Sequence, residues 1–322
     1  MVAEMMLLAA AIVGGEWTDG SVRFETGNDA INRIVSAREK PSGAYGSKIV
    51  AVYENLRHTG DNAEVRGEWD ALFAQVATAM SNQCDKAASS DSFVGACYWL
   101  LEARMMCELG PAAAGRGKHV WRYVPMSLKA NDFIRRHFLA DGALTPQLRA
   151  NPVACAFAAY LGIVEGDALD STCRALKTTL ETKPTPVMGA FEWRVALDAL
   201  SQNGMEDAAY SVLIAADDGA IDRGAALSWL WRTAAGIATD PTAPGFRNLI
   251  MAPKPDRRLK FLNAEYSLGK RVVKSSWRYD GGRWIWDFTV PAHSTASVTL
   301  PGESRTHHYD EGTHRIALPS EE

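Results

Sequence analysis

Near residue 240 the apolar pattern of this chain changes its period. Before that point apolar residues recur about every 3.6 positions, as on one face of a helix. After it they alternate, as on one face of a strand. A helix-period pattern cannot lay its apolar face down as a strand, so the switch predicts a helical part followed by a separate β part. The junction Asp240-Pro241-Thr242-Ala243-Pro244-Gly245 is rich in residues that stop both elements and reads as a linker.

The helical part is Ala-rich. Helices are expected over Tyr45–His58, Ala63–Met80, Phe93–Leu109, Pro125–Phe138, Pro152–Ile163, Ala168–Leu180, Met188–Leu200, Glu206–Ala215 and Gly224–Ile237. The turns at Asp141-Gly142, Glu165-Gly166 and Asn203-Gly204 are short, and short connections make neighbouring helices antiparallel. Beyond the linker, Arg271–Tyr279 and Arg283–Val290 alternate around the turn Asp280-Gly281-Gly282, and Thr295–Leu300 and His314–Leu318 read as further strands. The fold class is mainly α with a C-terminal all-β domain: residues 1–240 as helical hairpins arranged toroidally, residues 241–322 as an antiparallel β-sandwich.

Charge and cysteine usage exclude several functions. With a formal net charge of −4 there is no basic face for nucleic acid. Cys84, Cys97, Cys107, Cys155 and Cys173 are odd in number and form no Cys-x-x-Cys pair, so reduced core thiols are expected rather than a disulfide frame or zinc site. No stretch is apolar for the roughly 20 residues a bilayer requires, so no membrane partner is expected. Met5–Val13 is apolar but no Lys or Arg precedes it, which suits a buried helix in a cytoplasmic chain; a cleaved leader is the alternative.

Several segments, in order, resemble the bacterial α-L-rhamnosidases of glycoside hydrolase family 78. They are Phe157-Ala158-Ala159-Tyr160-Leu161-Gly162-Ile163-Val164, then Ala199-Leu200-Ser201-Gln202-Asn203-Gly204 with Ala208-Ala209-Tyr210, then Trp229-Leu230-Trp231-Arg232 with Ala235-Gly236-Ile237. Pro244-Gly245-Phe246-Arg247 and Ala252-Pro253 follow. Ser276-Trp277-Arg278-Tyr279-Asp280-Gly281-Gly282 and Val290-Pro291-Ala292-His293-Ser294-Thr295-Ala296 resemble the family's C-terminal domain. The resemblance implies an (α/α)6 six-hairpin barrel, incomplete here, followed by a β-sandwich, acting on terminal α-L-rhamnose by inversion.

The departures lie at the chemistry. The family's acid-bearing Asp-Cys-Pro-x-Arg-Asp-Glu motif is absent, and the interval that should carry its base, Leu213–Gly224, holds neither Trp nor Glu. The Asn-His pair expected before the last barrel helix is missing, and the Trp-Gly-Asp loop reads Gly43-Ala44-Tyr45-Gly46-Ser47.

Glycoside hydrolysis needs two carboxyls facing each other across the bond. In a hairpin barrel the loops preceding the inner helices would gather Glu16, Trp17, Asp19, Glu25, Asp29, Tyr45, Asp91, Asn151, Glu192, Trp193, Asp217, Asp218 and Asp222 on one rim. Glu192, Glu25 and Asp29 are the catalytic candidates. Trp17, Tyr45, Trp193, Asp217 and Asp222 are the substrate-binding ones. Glu192 leads because Phe191 and Trp193 flank it, a setting that desolvates a carboxyl. Each also has a plainer reading: Asp91 as a helix cap, Asp217-Asp218-Gly219 as a turn, Glu192 as a first-turn carboxylate facing the helix dipole, and Trp277, Trp284 and Trp286 as sheet core. His307, His308 and His314 lack a fourth ligand, no calcium or phosphate loop is visible, and no cofactor or metal is expected.

Three functions stay open at this level. One is a rhamnosidase-like glycoside hydrolase, binding rhamnose-containing glycan through a displaced carboxylate pair. Another is a non-catalytic carbohydrate-binding or assembly protein on the same scaffold. The third is a piece of a longer enzyme. A barrel short of a hairpin leaves apolar flanks, and the span Met1–Val13 carries only Glu4 as a charge, so a homodimer across a two-fold axis is expected.

Overall fold

The computed structural model describes residues 22–36, 47–83, 90–113, 120–183, 185–268 and 271–320. In chain order the elements are strand β1 (Val22–Thr26), helices α1 (Asp29–Ser36), α2 (Lys48–Thr59), α3 (Ala63–Gln83), α4 (Ser90–Leu109) and α5 (Val120–Phe138), and the two-residue strands β2 (Leu139–Ala140) and β3 (Ala143–Leu144). Helices α6 (Pro146–Arg149), α7 (Pro152–Tyr160), α8 (Gly166–Leu180), α9 (Ala190–Gln202), α10 (Glu206–Ala215) and α11 (Arg223–Trp229) follow. The chain ends in strands β4 (Ile237–Thr239), β5 (Asn248–Met251), β6 (Phe261–Leu268), β7 (Arg271–Asp280), β8 (Arg283–Val290), β9 (Thr295–Thr299), β10 (Thr306–Tyr309) and β11 (Gly312–Pro319). This is a helical-hairpin region followed by a β region, in the expected order.

The chain packs as two compact units. One holds the described residues of Met1–Gly43, Glu54–Gly60 and Leu213–Glu322, and the other those of Ala44–Tyr53 and Asp61–Val212. The second unit is helical, with α4 packed on α3, α5 and α7, and α7 on α8 and α9. Local chemistry sets its boundaries. Asn151 caps α7 by accepting the Val153 and Ala154 N–H groups at 2.9 and 3.2 Å, and Pro152 starts the helix where no amide partner is needed. Gly162, at φ 63°, turns the chain out of α7, and Ile163 N–H closes the motif on the Ala158 carbonyl at 2.9 Å. The apolar face of α7 is buried throughout Ala154–Ala159.

The first unit holds two larger sheets, of strand order β1-β6-β7-β8-β11 and β10-β9-β5-β4. Pairing is antiparallel except for β5 with β9, which run parallel, so the antiparallel expectation needs that amendment. The sheet core is aromatic: Trp284, Trp286 and Phe288 recur with the strand period along β8, their rings stacked at 5.7 and 4.3 Å. Trp277, Trp284 and Trp286 are all buried, as the plainer reading of those residues expects. Two polar links tie β7 and β8 to the turn after α11. Trp277 Nε1 donates to the Ala234 carbonyl at 2.8 Å, and Trp286 Nε1 donates to Ser275 Oγ at 2.9 Å, which in turn donates to the Ala235 carbonyl at 2.7 Å.

Two placements differ from the sequence reading. Val22–Thr26, expected within the helical region, is a strand paired antiparallel with β6 in the register Phe24 to Ala264. The run Val-Arg-Phe-Glu-Thr turns Arg23 and Glu25 outward and buries Thr26, as a half-covered edge strand requires. Ile237, expected at a helix end, begins β4 instead, because Gly236 at φ 71° breaks the helix before it. A Cβ at Gly236 would fall inside the Ala252–Pro253 peptide, so the close approach of these backbones admits only glycine.

The last turn of α2 is fastened within this unit. Arg57, 3% exposed, donates through Nη2 to the Thr239 carbonyl at 2.6 Å. His58 Nε2 lies 2.6 Å from the Tyr266 hydroxyl, with its ring against Phe246 and Tyr266 at 5.5 and 4.9 Å. Burial lowers the His58 pKa from 6.5 to about 4.

Candidate functional site

Glu192 sits in the first turn of α9. Its Oε2 accepts the Gly189 N–H at 2.8 Å, the carboxylate half of a capping box whose other half glycine has no side chain to make. The side chain is half-buried. Its neighbours on the chain are core residues: Phe191 is 5% exposed and Trp193 fully buried, with no hydrogen-bond partner at Trp193 Nε1. Trp193 therefore has no ring face free for a sugar. One turn on, Arg194 and Asp198 form a buried pair at 3.7 Å, with the Arg194 guanidinium 5.5 Å from the centre of the Phe191 ring.

Across from α9, the Tyr98 ring of α4 packs on Phe157 at 5.1 Å and on Phe191 at 5.6 Å. Burial, then the negative charges of Glu192 and Glu102, push the Tyr98 phenol well above its ordinary pKa. Glu102 lies one turn from Tyr98 on α4 and is 5% exposed. Gln75 Nε2 donates to its Oε1 at 3.0 Å. Burial pushes the Glu102 carboxyl above the usual carboxylate range, a rise that the bond from Gln75 opposes. Sequence reasoning passed over both Tyr98 and Glu102. The signal was present: Glu102 interrupts the apolar run Leu100-Leu101-Glu102-Ala103 inside a helix that is apolar on most sides.

Glu25, Asp29, Asp217 and Asp222 belong to the other compact unit. Glu25 is exposed on β1 opposite Asn263, and Asp29 is exposed at the start of α1, where Asn28 caps by accepting the Ala30 N–H at 3.0 Å. Asp222 caps α11 by accepting the Ala225 N–H at 2.9 Å, and Asp217 is exposed in the turn before it. Two contacts bring α1 to this turn: Arg33 with Asp218 at 3.6 Å, and Arg223 Nε donating to the Val35 carbonyl at 2.6 Å. Asp29, Asp217 and Asp222 are thus carried by adjoining segments. Trp17 and Tyr45, together with Glu16, Asp19 and the span Met1–Val13, lie outside the described residues, as does the side chain of Asp91.

Other chemistries find less support. Cys97, Cys155 and Cys173 are buried and free, and burial pushes the Cys155 thiol up to about 12 and the Cys173 thiol up to about 11, so neither is a thiolate nucleophile at neutral pH. Among the described residues no group of three or more His, Cys, Asp or Glu is arranged to hold a metal ion. His307 pairs with Glu303 at 2.8 Å, and His314 bonds the Asp310 carbonyl at 2.9 Å. No described helix is long and apolar enough to cross a membrane.

Residues 236–315 match the family model of the bacterial alpha-L-rhamnosidase C-terminal domain. No curated protein matches the chain. Among solved structures, the α-L-rhamnosidase from Dictyoglumus thermophilum is similar over 90% of this chain and 43% of its own, at 14% identity and a TM-score of 0.70. That from Aspergillus terreus is similar over 84% of this chain and 38% of its own, at 15% identity and a TM-score of 0.69. That from Streptomyces avermitilis, complexed with L-rhamnose, is similar over 84% of this chain and 32% of its own, at 14% identity and a TM-score of 0.67. The chain thus spans less than half the length of each of these enzymes. Likeness at this identity establishes the fold.

Proposed function

We propose that this chain, whose C-terminal region is a bacterial α-L-rhamnosidase C-terminal domain and whose fold is that of the α-L-rhamnosidases, is a glycoside hydrolase relative that takes a rhamnose-containing glycan as its ligand. One observation carries the reading: the domain match over 236–315 continues a helical-hairpin region whose fold, taken with it, is similar to the same enzymes over 84–90% of the chain. Fold alone does not choose a chemistry, so the reading also needs carboxyls able to serve it. Glu192 is the leading one. It is half-buried, it opens the first turn of α9, and the aromatic Phe191 and Tyr98 rings lie beside it. On the other compact unit, Glu25 and Asp29 are kept as further catalytic candidates, and Asp217 and Asp222 as polar contacts for sugar hydroxyls. Trp17 and Tyr45 are kept as stacking rings.

The test is calorimetric titration of the protein with L-rhamnose and with D-glucose, alongside release of 4-nitrophenol from its α-L-rhamnoside. Saturable L-rhamnose binding with turnover supports the hydrolase. Binding without turnover leaves a carbohydrate-binding scaffold. The absence of both binding and turnover defeats the reading.

A further inference from the structure

We propose that the free edge of β11 is an interface between two copies of this chain, whose β11 strands pair antiparallel about a two-fold axis at Ile316. The inference does not depend on the carbohydrate reading, and every residue it uses lies in one compact unit.

The edge strands of the two larger sheets are β4 with three residues, β10 with four, β1 with five and β11 with eight. Among the described residues β11, the longest, pairs on one side only, with β8. The ladder fixes which of its backbone groups are used. The two-residue turn Gly281-Gly282 makes Asp280 and Arg283 a hydrogen-bonded pair. Residues of an antiparallel strand bond alternately to either side, so Trp284, Trp286, Phe288 and Val290 of β8 bond toward β11. Their partners are Leu318, Ile316, His314 and Gly312, and the Ser320 N–H continues the alternation by donating to the Gly282 carbonyl at 2.9 Å. Thr313, Arg315 and Ala317 therefore aim their N–H and C=O groups away from β8. No described residue accepts from those N–H groups. The Ala317 carbonyl accepts Arg283 Nη2 at 3.3 Å and keeps a second lone pair.

A row of unpaired backbone groups of this length is a template for another strand. The residues of β11 suit a second copy of themselves, in one register. Pairing about Ile316 sets Arg315 opposite Ala317 of the second copy and Thr313 opposite its Pro319. Each outward N–H then finds a carbonyl, and Pro319, which has no N–H, falls at the end of the ladder as an acceptor. Sliding the copies one way would set Arg315 against Arg315, like charges directly opposed. Sliding them the other way would bring Pro319 opposite Arg315 and break the ladder inside. In the register at Ile316, Arg315 meets no second cation, and its charge is held by its own Asp287 at 2.5 Å. On the other face Ile316 meets Ile316 and His314 meets Leu318. Ile316 and Leu318 are half-buried, whereas Trp286 and Trp284 opposite them on β8 are buried. The aromatic core is thus open at this edge, and the apolar row of a second copy extends it.

Sedimentation equilibrium of the full chain at micromolar concentration should show a dimer. Ala317→Pro removes an outward N–H from the centre of the ladder and none that β8 uses, which is the setting in which an edge strand accepts proline. It should weaken the dimer at least about tenfold, with the circular dichroism spectrum unchanged. Ala317→Val, which keeps the N–H, should leave the dimer as it is. A second arm does not rely on proline. Ile316→Cys, oxidised with copper–phenanthroline, should give a disulfide-linked dimer, since residues facing each other in a non-hydrogen-bonded pair have Cα atoms about 4.5 Å apart, within disulfide reach. Thr313→Cys, well away from the axis, should not. A monomeric wild type, a dimer that a folded Ala317→Pro variant leaves intact, or no cross-link through position 316 each overturns the interface.

Discussion

Replacing His58 by Gln should make the protein less sensitive to acid. In the folded chain the imidazole is packed against Phe246 and Tyr266 and bonded to the Tyr266 hydroxyl, and burial alone holds its pKa down to about 4 from 6.5. The unfolded chain binds that proton more readily than the folded one between these two values. The stabilisation is therefore complete above about pH 6.5 and drains away as pH falls toward 4. At about 1.4 kcal/mol per pH unit, the wild type loses about 3 kcal/mol from this one group across the window. Gln at position 58 carries a donor and acceptor for Tyr266 but no proton to titrate, so the variant should lose none of it. Urea denaturation at pH 7 and pH 4.5, with the slope held common, reads the difference as a shift in midpoint. The variant should be the less stable at pH 7 and close on, or overtake, the wild type at pH 4.5. Parallel pH dependence in the two proteins would refute the buried, neutral His58.

Other substitutions test the packing. Gly236→Ala should cost more than about 2 kcal/mol by thermal melting, because both its φ of 71° and the neighbouring Pro253 backbone exclude a side chain. Ser275→Ala should cost about 1–3 kcal/mol by denaturation, since it leaves Trp286 Nε1 and the Ala235 carbonyl buried without their shared partner; an unchanged midpoint would mean that the relay adds nothing. Sedimentation at micromolar concentration should give a dimer, and a clean monomer with no dye binding would refute that expectation.

What the sequence disclosed depended on whether the signal was local. Helix α10 falls on Glu206–Ala215 and strand β8 on Arg283–Val290, as the periodicity alone predicts, because each burial pattern repeats within its own segment. Strand β1 was not legible. It has five residues, and the partner that makes it a strand, β6, lies more than two hundred positions along the chain. The helix break at Gly236 was hidden for a similar reason, since the constraint is the approach of the Ala252–Pro253 peptide. At the candidate site, Glu192 was legible as a first-turn carboxylate, and its bond to Gly189 N–H bears out that plainer reading of its position. Glu102 was visible as a charge in an apolar helix, but its bond from Gln75 and the contact of Tyr98 with Phe191 need α3, α4 and α9 brought together, which no local pattern encodes.

The central claim is that this chain handles rhamnosides with its own carboxyls. Proton NMR of a methyl α-L-rhamnoside incubated with the purified protein tests it most directly. The account predicts free L-rhamnose accumulating well above the buffer rate, and a loss of at least about 100-fold with Glu192→Gln. No free rhamnose from the wild type, at a protein concentration where the folded state is verified, would contradict it.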